Sequence, residues 1–169
     1  MKFSIKKVLL YILALVLLGT SVALIQQTRL GMSAWDALNR NFFEGVPIEY
    51  KYLTTIVALV LVSLAYLIEW KKPHIIMLFP LLISFIIGTV IDVQILILPI
   101  AETLANQIGL GYFWDISYLV IATFLVSIAL NIIVYVDIPL PALDQFCMAI
   151  AKRFHITFGQ GKYIGEAIA

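Results

Sequence analysis

The chain has 169 residues, of which 63% are hydrophobic and only 12% are charged, and its formal net charge is +1. Soluble globular domains carry about 25% charged residues, so this composition excludes an ordinary soluble protein and favours a single membrane-embedded domain. The nearly neutral charge gives no reason to expect a nucleic-acid partner. The single cysteine, Cys147, excludes an intrachain disulfide and a cysteine-based metal site.

Four apolar runs approach the roughly 20 residues that a membrane-spanning helix needs. In chain order they are residues 8–25, 53–68, 75–91 and 116–136. The first run is expected to be retained, because it is longer than the roughly 7–15 apolar residues of a cleaved signal peptide. After Phe158 the sequence is typical of the opening of a fifth span, which we expect to be truncated here.

Two of these runs lead into similar modules, at residues 30–36 and 138–144, each with a turn, a short amphipathic stretch and an acid. The acids, Asp36 and Asp144, lie 108 positions apart. Half-repeats of three spans with irregular joints at matching places are typical of secondary transporters. The sequence therefore predicts an all-α polytopic helix bundle, an inverted three-plus-three repeat whose last spans are missing from this chain. Its predicted parts are a first half over 1–98, an outer loop over 99–116 and a second half over 117–169.

The predicted orientation comes from the lysine and arginine residues near the span ends. With a cytoplasmic N-terminus, the outer side holds three of them, Arg29, Arg40 and Lys51. The cytoplasmic side holds the other eight, Lys2, Lys6, Lys7, Lys71, Lys72, Lys152, Arg153 and Lys162. This bias predicts that the N-terminus and the second module are cytoplasmic and that the first module is outside, so that the repeat is inverted.

Asp36 and Asp144 are the first candidate binding residues, and two interpretations of them stand. Ser33 and Asp36 have the spacing of a capping box, and Pro141 before Asp144 is also typical of a helix start. The alternative is that the short helices enter the membrane and that both acids line a water-filled path. Trp35 is either an interfacial anchor or a part of that path.

Asp92 and Asn131 are the remaining candidates. Asp92 lies within an apolar stretch, roughly 25 Å along its helix, and is either an interfacial acid or a cavity acid that binds a cation or a proton. Asn131 lies in the inner part of the fourth span, where the alternatives are an interhelical hydrogen bond and a ligand contact.

Enzymatic chemistry is not indicated. His74 and His155 do not have a metal-ligand spacing, and no complete phosphate-binding loop is present. We therefore expect no catalytic residues, no metal site and no cofactor.

Several motifs in matching order resemble the YczE/YitT-like bacterial integral membrane proteins. They are residues 30–31 and 34–39, residues 88–92, and Pro141 with Asp144 and Glu166. The resemblance implies a bacterial plasma-membrane protein of about six helices, as in a three-plus-three repeat, without established catalytic residues. The chain differs where relatives often carry proline, at Ala34, and in lacking the last spans.

The predicted function is that of a small-solute or ion transporter, an inference from architecture. One alternative is the substrate-binding membrane subunit of a vitamin uptake system. Another is a non-transporting scaffold whose Lys152, Arg153 and Lys162 dock an acidic partner. The expected partners are the lipid bilayer and a small-molecule or ion substrate, and association into a homo-oligomer is left open.

Overall fold

The computed structural model describes residues 5–42, 48–70, 78–136 and 140–168. All regular secondary structure in these ranges is α-helical, which confirms the predicted all-α fold. In chain order the helices are α1 (Ile5–Gln26), α2 (Ala34–Phe42), α3 (Tyr50–Ile68), α4 (Leu78–Ile97), α5 (Ala101–Ile108), α6 (Phe113–Val136), α7 (Ala142–Phe154) and α8 (Phe158–Ile168).

Four stretches of the described chain are helical, long and apolar enough to cross a membrane. They are α1, α3, α6 and the stretch Leu78–Ile108, which contains α4 and α5. α1, α3 and α6 match three of the predicted spans within three residues at each end. The third stretch continues past the predicted end at residue 91 to Ile108, and residues 75–77 of that predicted span lie outside the described residues. Helices of this length match a hydrocarbon core of about 30 Å, so the chain has the construction of a multi-pass membrane protein.

Two glycines allow turns next to the helices. Gly31, between α1 and α2, has a φ of +98°, and Gly109, directly after α5, has a φ of +87°. Residues with a side chain rarely adopt these left-handed conformations. The Gly109 N–H also donates to the Ala105 carbonyl oxygen, which satisfies one of the free carbonyl groups at the end of α5.

The predicted outer loop over 99–116 contains regular structure. It holds the whole of α5 and the first residues of α6. Two local signals favour a helix at Ala101. Pro99 interrupts the preceding apolar run, and Glu102 places an acid in the first helical turn, where it offsets the positive end of the helix dipole.

The described residues form two compact units, and each unit combines two separated stretches of chain. Unit 1 contains the described residues up to Met32 and from Ile87 to Ile138. Unit 2 contains those within Ser33–Ile86 and Pro139–Ala169. The boundary between Ile86 and Ile87 falls inside α4, so this helix contributes residues to both units.

Unit 1 is built mainly on the packing of α1 against α6, with α5 also against α6. Gly19 of α1 lies so close to α4 that an added Cβ would be 2.8 Å from the Cβ of Val90. The Ala101 N–H, at the beginning of α5, donates to the Gln27 carbonyl oxygen at 3.1 Å. One buried cluster of this unit consists of Leu24, Ala101, Tyr118 and Ala122.

Unit 2 is built on α7, which packs against α3 on one side and α8 on another, while α2 contacts α3 and α8. Small residues let α7 and α8 approach closely, since an added Cβ on Gly161 would lie 2.6 Å from the Cys147 carbonyl oxygen. One buried cluster of this unit contains Trp35, Leu61, Ala65, Phe146, Cys147, Ala149 and Ile150.

The helix starts repeat along the chain. α2 and α7 begin at Ala34 and Ala142, and α3 and α8 begin at Tyr50 and Phe158, so both pairs are separated by 108 positions. This is also the separation of Asp36 and Asp144. Corresponding helices lie in the same unit. α1 and α6 are both in unit 1, and the pairs α2–α7 and α3–α8 are both in unit 2. The helix order supports a duplicated construction. The inversion of the halves and their boundaries stay predictions.

Candidate functional site

Asp36 lies in the first turn of α2, and both of its carboxylate oxygens accept hydrogen bonds. The Ser33 hydroxyl donates to Oδ2 at 2.6 Å, and the Tyr50 hydroxyl donates to Oδ1 at 2.8 Å. The Asp36 N–H donates in turn to Ser33 Oγ at 3.2 Å. These contacts stabilise the start of α2 in the manner of a capping box and connect α2 to α3.

Asp144 occupies the corresponding position in the first turn of α7 and is only 8% exposed. Its Oδ1 accepts a hydrogen bond of 3.2 Å from Lys162 Nζ on α8. A buried carboxylate needs such a partner, because removing an unpaired charge from water is very costly. The acid of each short helix therefore contacts the helix that follows it, Asp36 through Tyr50 and Asp144 through Lys162.

Cys147 lies one turn beyond Asp144 on α7 and is fully buried. Burial raises the pKa of its thiol to about 11, and the nearby Asp144 carboxylate contributes in the same direction. A thiol with this pKa is neutral at physiological pH, and its thiolate is the form that acts as a nucleophile. Cys147 is therefore a packing residue.

Three buried polar atoms of unit 2 have no hydrogen-bond partner among the described residues. They are Nε1 of Trp35, Oδ1 of Asn39 and Oε1 of Gln145. Buried polar side-chain atoms are paired in the large majority of cases, and leaving one unpaired costs about 1–3 kcal/mol. Three such atoms in two short helices of one unit therefore mark a candidate binding site.

Helical periodicity and one aromatic contact position these atoms. Trp35 and Asn39 are four residues apart on α2 and so lie on the same face, with exposures of 8% and 7%. The Trp35 ring packs edge to face against Phe146 of α7, with 6.3 Å between the centroids. Gln145 lies directly before Phe146. The Trp35–Phe146 contact brings the two short helices together, and all three unpaired atoms lie on these two helices.

We define the short-helix polar site by its five residues, Trp35, Asn39, Asp144, Gln145 and Lys162. Its indole N–H can donate a hydrogen bond, and its two amide oxygens can accept one each. Asp144 and Lys162 add one negative and one positive charge. This set suits a small ligand that has both donors and acceptors. No group of three histidine, cysteine or acidic residues that could hold a metal ion occurs in the described part of the chain.

Of the five residues predicted from the sequence, three belong to unit 2 and two to unit 1. Trp35, Asp36 and Asp144 belong to unit 2, where Trp35 is packed inside the unit and does not have the exposure of an interfacial anchor. Asp92, on α4, and Asn131, on α6, belong to unit 1.

Neither of the two candidates in unit 1 is part of the short-helix polar site. The Asn131 side chain is exposed, and its amide donates to the Ser127 carbonyl oxygen of the same helix at 2.8 Å. This bond lies within α6, and the choice between an interhelical hydrogen bond and a ligand contact for Asn131 stays a prediction. Asp92 is half-buried, and its assignment as an interfacial or a cavity acid stays a prediction.

Unit 1 contains a second polar cluster that the sequence analysis did not predict. The fully buried carboxylate of Asp115 accepts hydrogen bonds from the Arg29 backbone N–H at 2.8 Å and from Arg29 Nη2 at 2.6 Å. The guanidinium also lies 4.4 Å from the centre of the Tyr112 ring. The hydrogen bond to Asp115 is the main reason that the pKa of Arg29 is raised. This cluster joins the turn after α1 to the start of α6.

The family of the chain follows from its match to a family model. No curated protein matches the chain, and neither does a solved structure. The model of DUF6198, a family of unknown function, matches residues 5–169. The match covers nearly the whole chain, which therefore belongs to the DUF6198 family.

Proposed function

We propose that this protein transports a small polar solute or an ion across the bacterial plasma membrane. The observation that carries the proposal is the set of unpaired buried atoms on Trp35, Asn39 and Gln145 in unit 2, the unit that also contains the Asp144–Lys162 pair. A cost of about 1–3 kcal/mol for each unpaired atom is best explained by a ligand that completes their hydrogen bonds.

The helix order favours a transporter over the non-transporting scaffold. Short helices follow the first spans of both halves at matching positions, and transporters place their binding sites in such irregular segments. A cytoplasmic N-terminus, from the distribution of lysine and arginine, and kinship with the YczE/YitT-like proteins are parts of the same proposal.

Each residue of the short-helix polar site has a proposed role. A ligand amine or other donor contacts the oxygens of Asn39 and Gln145, and a ligand acceptor contacts the Trp35 indole N–H. Asp144 and Lys162 neutralise each other in the absence of ligand. Either of them can then turn to an ionic group of the ligand, which would change the distance between α7 and α8.

The proposal is tested by a thermal-shift screen of the purified protein against ions, amino acids, vitamins and other small metabolites. A ligand present at 100 times its dissociation constant adds about 2.7 kcal/mol of stability, so a true substrate raises the unfolding temperature measurably.

Two variants give the screen a signature specific to the site. Asn39→Leu and Gln145→Leu should abolish the ligand-induced shift and leave the ligand-free protein as stable as the wild type or more so, because each removes an unpaired polar atom. The control is Asp36→Asn, which keeps a capping side chain and should retain the shift. If no compound shifts the folded protein, or if both leucine variants are less stable without ligand, the proposal is wrong.

A further inference from the structure

An apolar groove lies in unit 2 near the ends of α3, α7 and α8. Its volume is about 580 Å³, and nine of the ten described residues that line it are leucine, isoleucine, phenylalanine or tryptophan. Leu67 lines it from α3, Ile150 from α7 and Ile164 from α8. Arg153, in the last turn of α7, is the charged member of this described lining.

Lys152 and Arg153 both lie near this groove, but only Lys152 has an acidic partner among the described residues. Lys152, the neighbour of Arg153, lies 3.4 Å from the carboxylate of Glu69, so its charge is compensated. Arg153 is exposed and forms no ion pair with any described residue. The groove is also lined by Trp70, which is 82% exposed, and exposed tryptophan is typical of the level of the lipid headgroups.

We infer that this groove binds one acyl chain of an anionic glycerophospholipid, whose phosphate group contacts Arg153. Four apolar helices indicate that the chain lies in a bilayer, where hydrocarbon is the natural occupant of an apolar groove. The volume falls in the range of about 300–1,000 Å³ that holds one small ligand. A guanidinium can bind phosphate oxygens with two parallel hydrogen bonds.

We expect the groove to select lipids by the net charge of their headgroups. Among the described residues Arg153 is the uncompensated cation at the end of the apolar groove, and such a cation favours a headgroup with net negative charge over a zwitterionic one, as in basic lipid sites of other membrane proteins. This site is separate from the short-helix polar site and does not depend on the proposed transport function.

Native mass spectrometry of the purified full-length chain in detergent tests the inference, with phosphatidylglycerol and phosphatidylcholine of identical acyl chains added together. We expect one phosphatidylglycerol to be retained, with a preference of about five-fold over phosphatidylcholine. Arg153→Gln should reduce this preference to near one. Lys152→Gln is the matched control. It removes the neighbouring charge and should keep the preference, because Glu69 already compensates Lys152.

A second pair of variants tests whether the groove itself is occupied. Ile164→Trp fills the groove and should lower the retention of both lipids. Leu96→Trp, at a position of α4 that is 86% exposed, should not lower it. Circular dichroism establishes that each variant is folded. The inference is overturned if Arg153→Gln keeps the preference, if Lys152→Gln loses as much of it, or if the two tryptophan variants retain lipid equally.

Discussion

Asp115 shows how much one side chain can connect in this protein. It lies in the first turn of α6 and is fully buried, and its carboxylate accepts bonds from both the backbone and the guanidinium of Arg29. These bonds hold the turn after α1 against the beginning of α6. Since α1 and α6 form the main helix pair of unit 1, the Arg29–Asp115 contact fixes the relative position of these two helices along their length.

Replacement of Asp115 by asparagine should therefore lower the unfolding temperature. An asparagine keeps one acceptor oxygen but places an NH2 group, which is a donor, where the second carboxylate oxygen accepts from the guanidinium, and Arg29 loses its neutralising charge. Thermal unfolding followed by circular dichroism in detergent measures the effect.

The control for this prediction is Glu102→Gln. Glu102 is also near Arg29, but its carboxylate is 3.9 Å away and its side chain is 58% exposed, and exposed pairs of this kind contribute little to stability. If Asp115→Asn unfolds at the same temperature as Glu102→Gln, the Arg29–Asp115 contact does not hold unit 1 together.

At the residue scale, sequence alone predicted local contacts and missed distant ones. The capping contacts of Asp36 with Ser33 involve neighbours three positions apart, which helix-start patterns describe directly. Arg29 and Asp115 are 86 positions apart, and an arginine near a span end was interpreted only as a signal of orientation. The burial of Asn39 could not be predicted either, because it depends on the helices that cover α2.

At the element scale, the close contact of α8 with α7 involves Gly161 and Gly165 of α8, which are one turn apart. An added Cβ on Gly161 would lie 2.6 Å from the Cys147 carbonyl oxygen, and one on Gly165 would lie 2.7 Å from the Cys147 sulfur. Both distances are shorter than atoms tolerate. The atom that an added Cβ would meet is a backbone oxygen at Gly161 and a side-chain sulfur at Gly165.

This difference predicts an asymmetric rescue. Gly161→Ala and Gly165→Ala should each lower the free energy of unfolding by about 1–3 kcal/mol, the usual cost of overpacking. Cys147→Ala removes the sulfur, so it should restore the stability of Gly165→Ala and leave Gly161→Ala unrescued. Denaturant unfolding of the single and double variants measures both coupling energies.

Gly159→Ala provides the control for the glycine series. An added Cβ at this position would meet no atom within 4 Å, and alanine is the better helix former, so this variant should unfold no more easily than the wild type. Equal rescue of both α8 variants by Cys147→Ala, or rescue of neither, would contradict the proposed packing.

At the scale of the whole molecule, the spans were predictable and their partners were not. Length and apolarity alone identify the four spans, because a bilayer imposes a minimum length. The pairing of α1 with α6 and of α3 with α7 joins segments from both predicted halves. Hydropathy carries no information on which apolar faces meet, so the two interleaved units could not be predicted. The 108-residue repeat was the one signal that pointed to corresponding helices.

The predicted orientation can be tested with single cysteines in a Cys147→Ala background. Ile108, at the end of α5, is 60% exposed, and the side chain of Lys152, in the last turn of α7, is 58% exposed. With the N-terminus in the cytoplasm, Ile108→Cys should react with a membrane-impermeant maleimide in intact cells, and Lys152→Cys should react only after the cells are permeabilised. The expectation rests on the excess of lysine and arginine predicted for the cytoplasmic side. The reverse pattern, or labelling of both from one side, would refute the predicted inverted topology.

The interleaving of the two halves has a consequence for biosynthesis. The first residue of α6 is made 108 positions after Ile5 of α1, and a ribosome that adds about 5–20 residues per second needs roughly 5–20 s to cover that distance. During this interval α1 is in the bilayer without its main partner, so its own apolarity has to keep it there. Unit 2 is completed after unit 1, because α7 and α8 are translated last. Insertion and assembly are therefore separate stages for this protein, and both units are completed only when nearly the whole described chain has been synthesised.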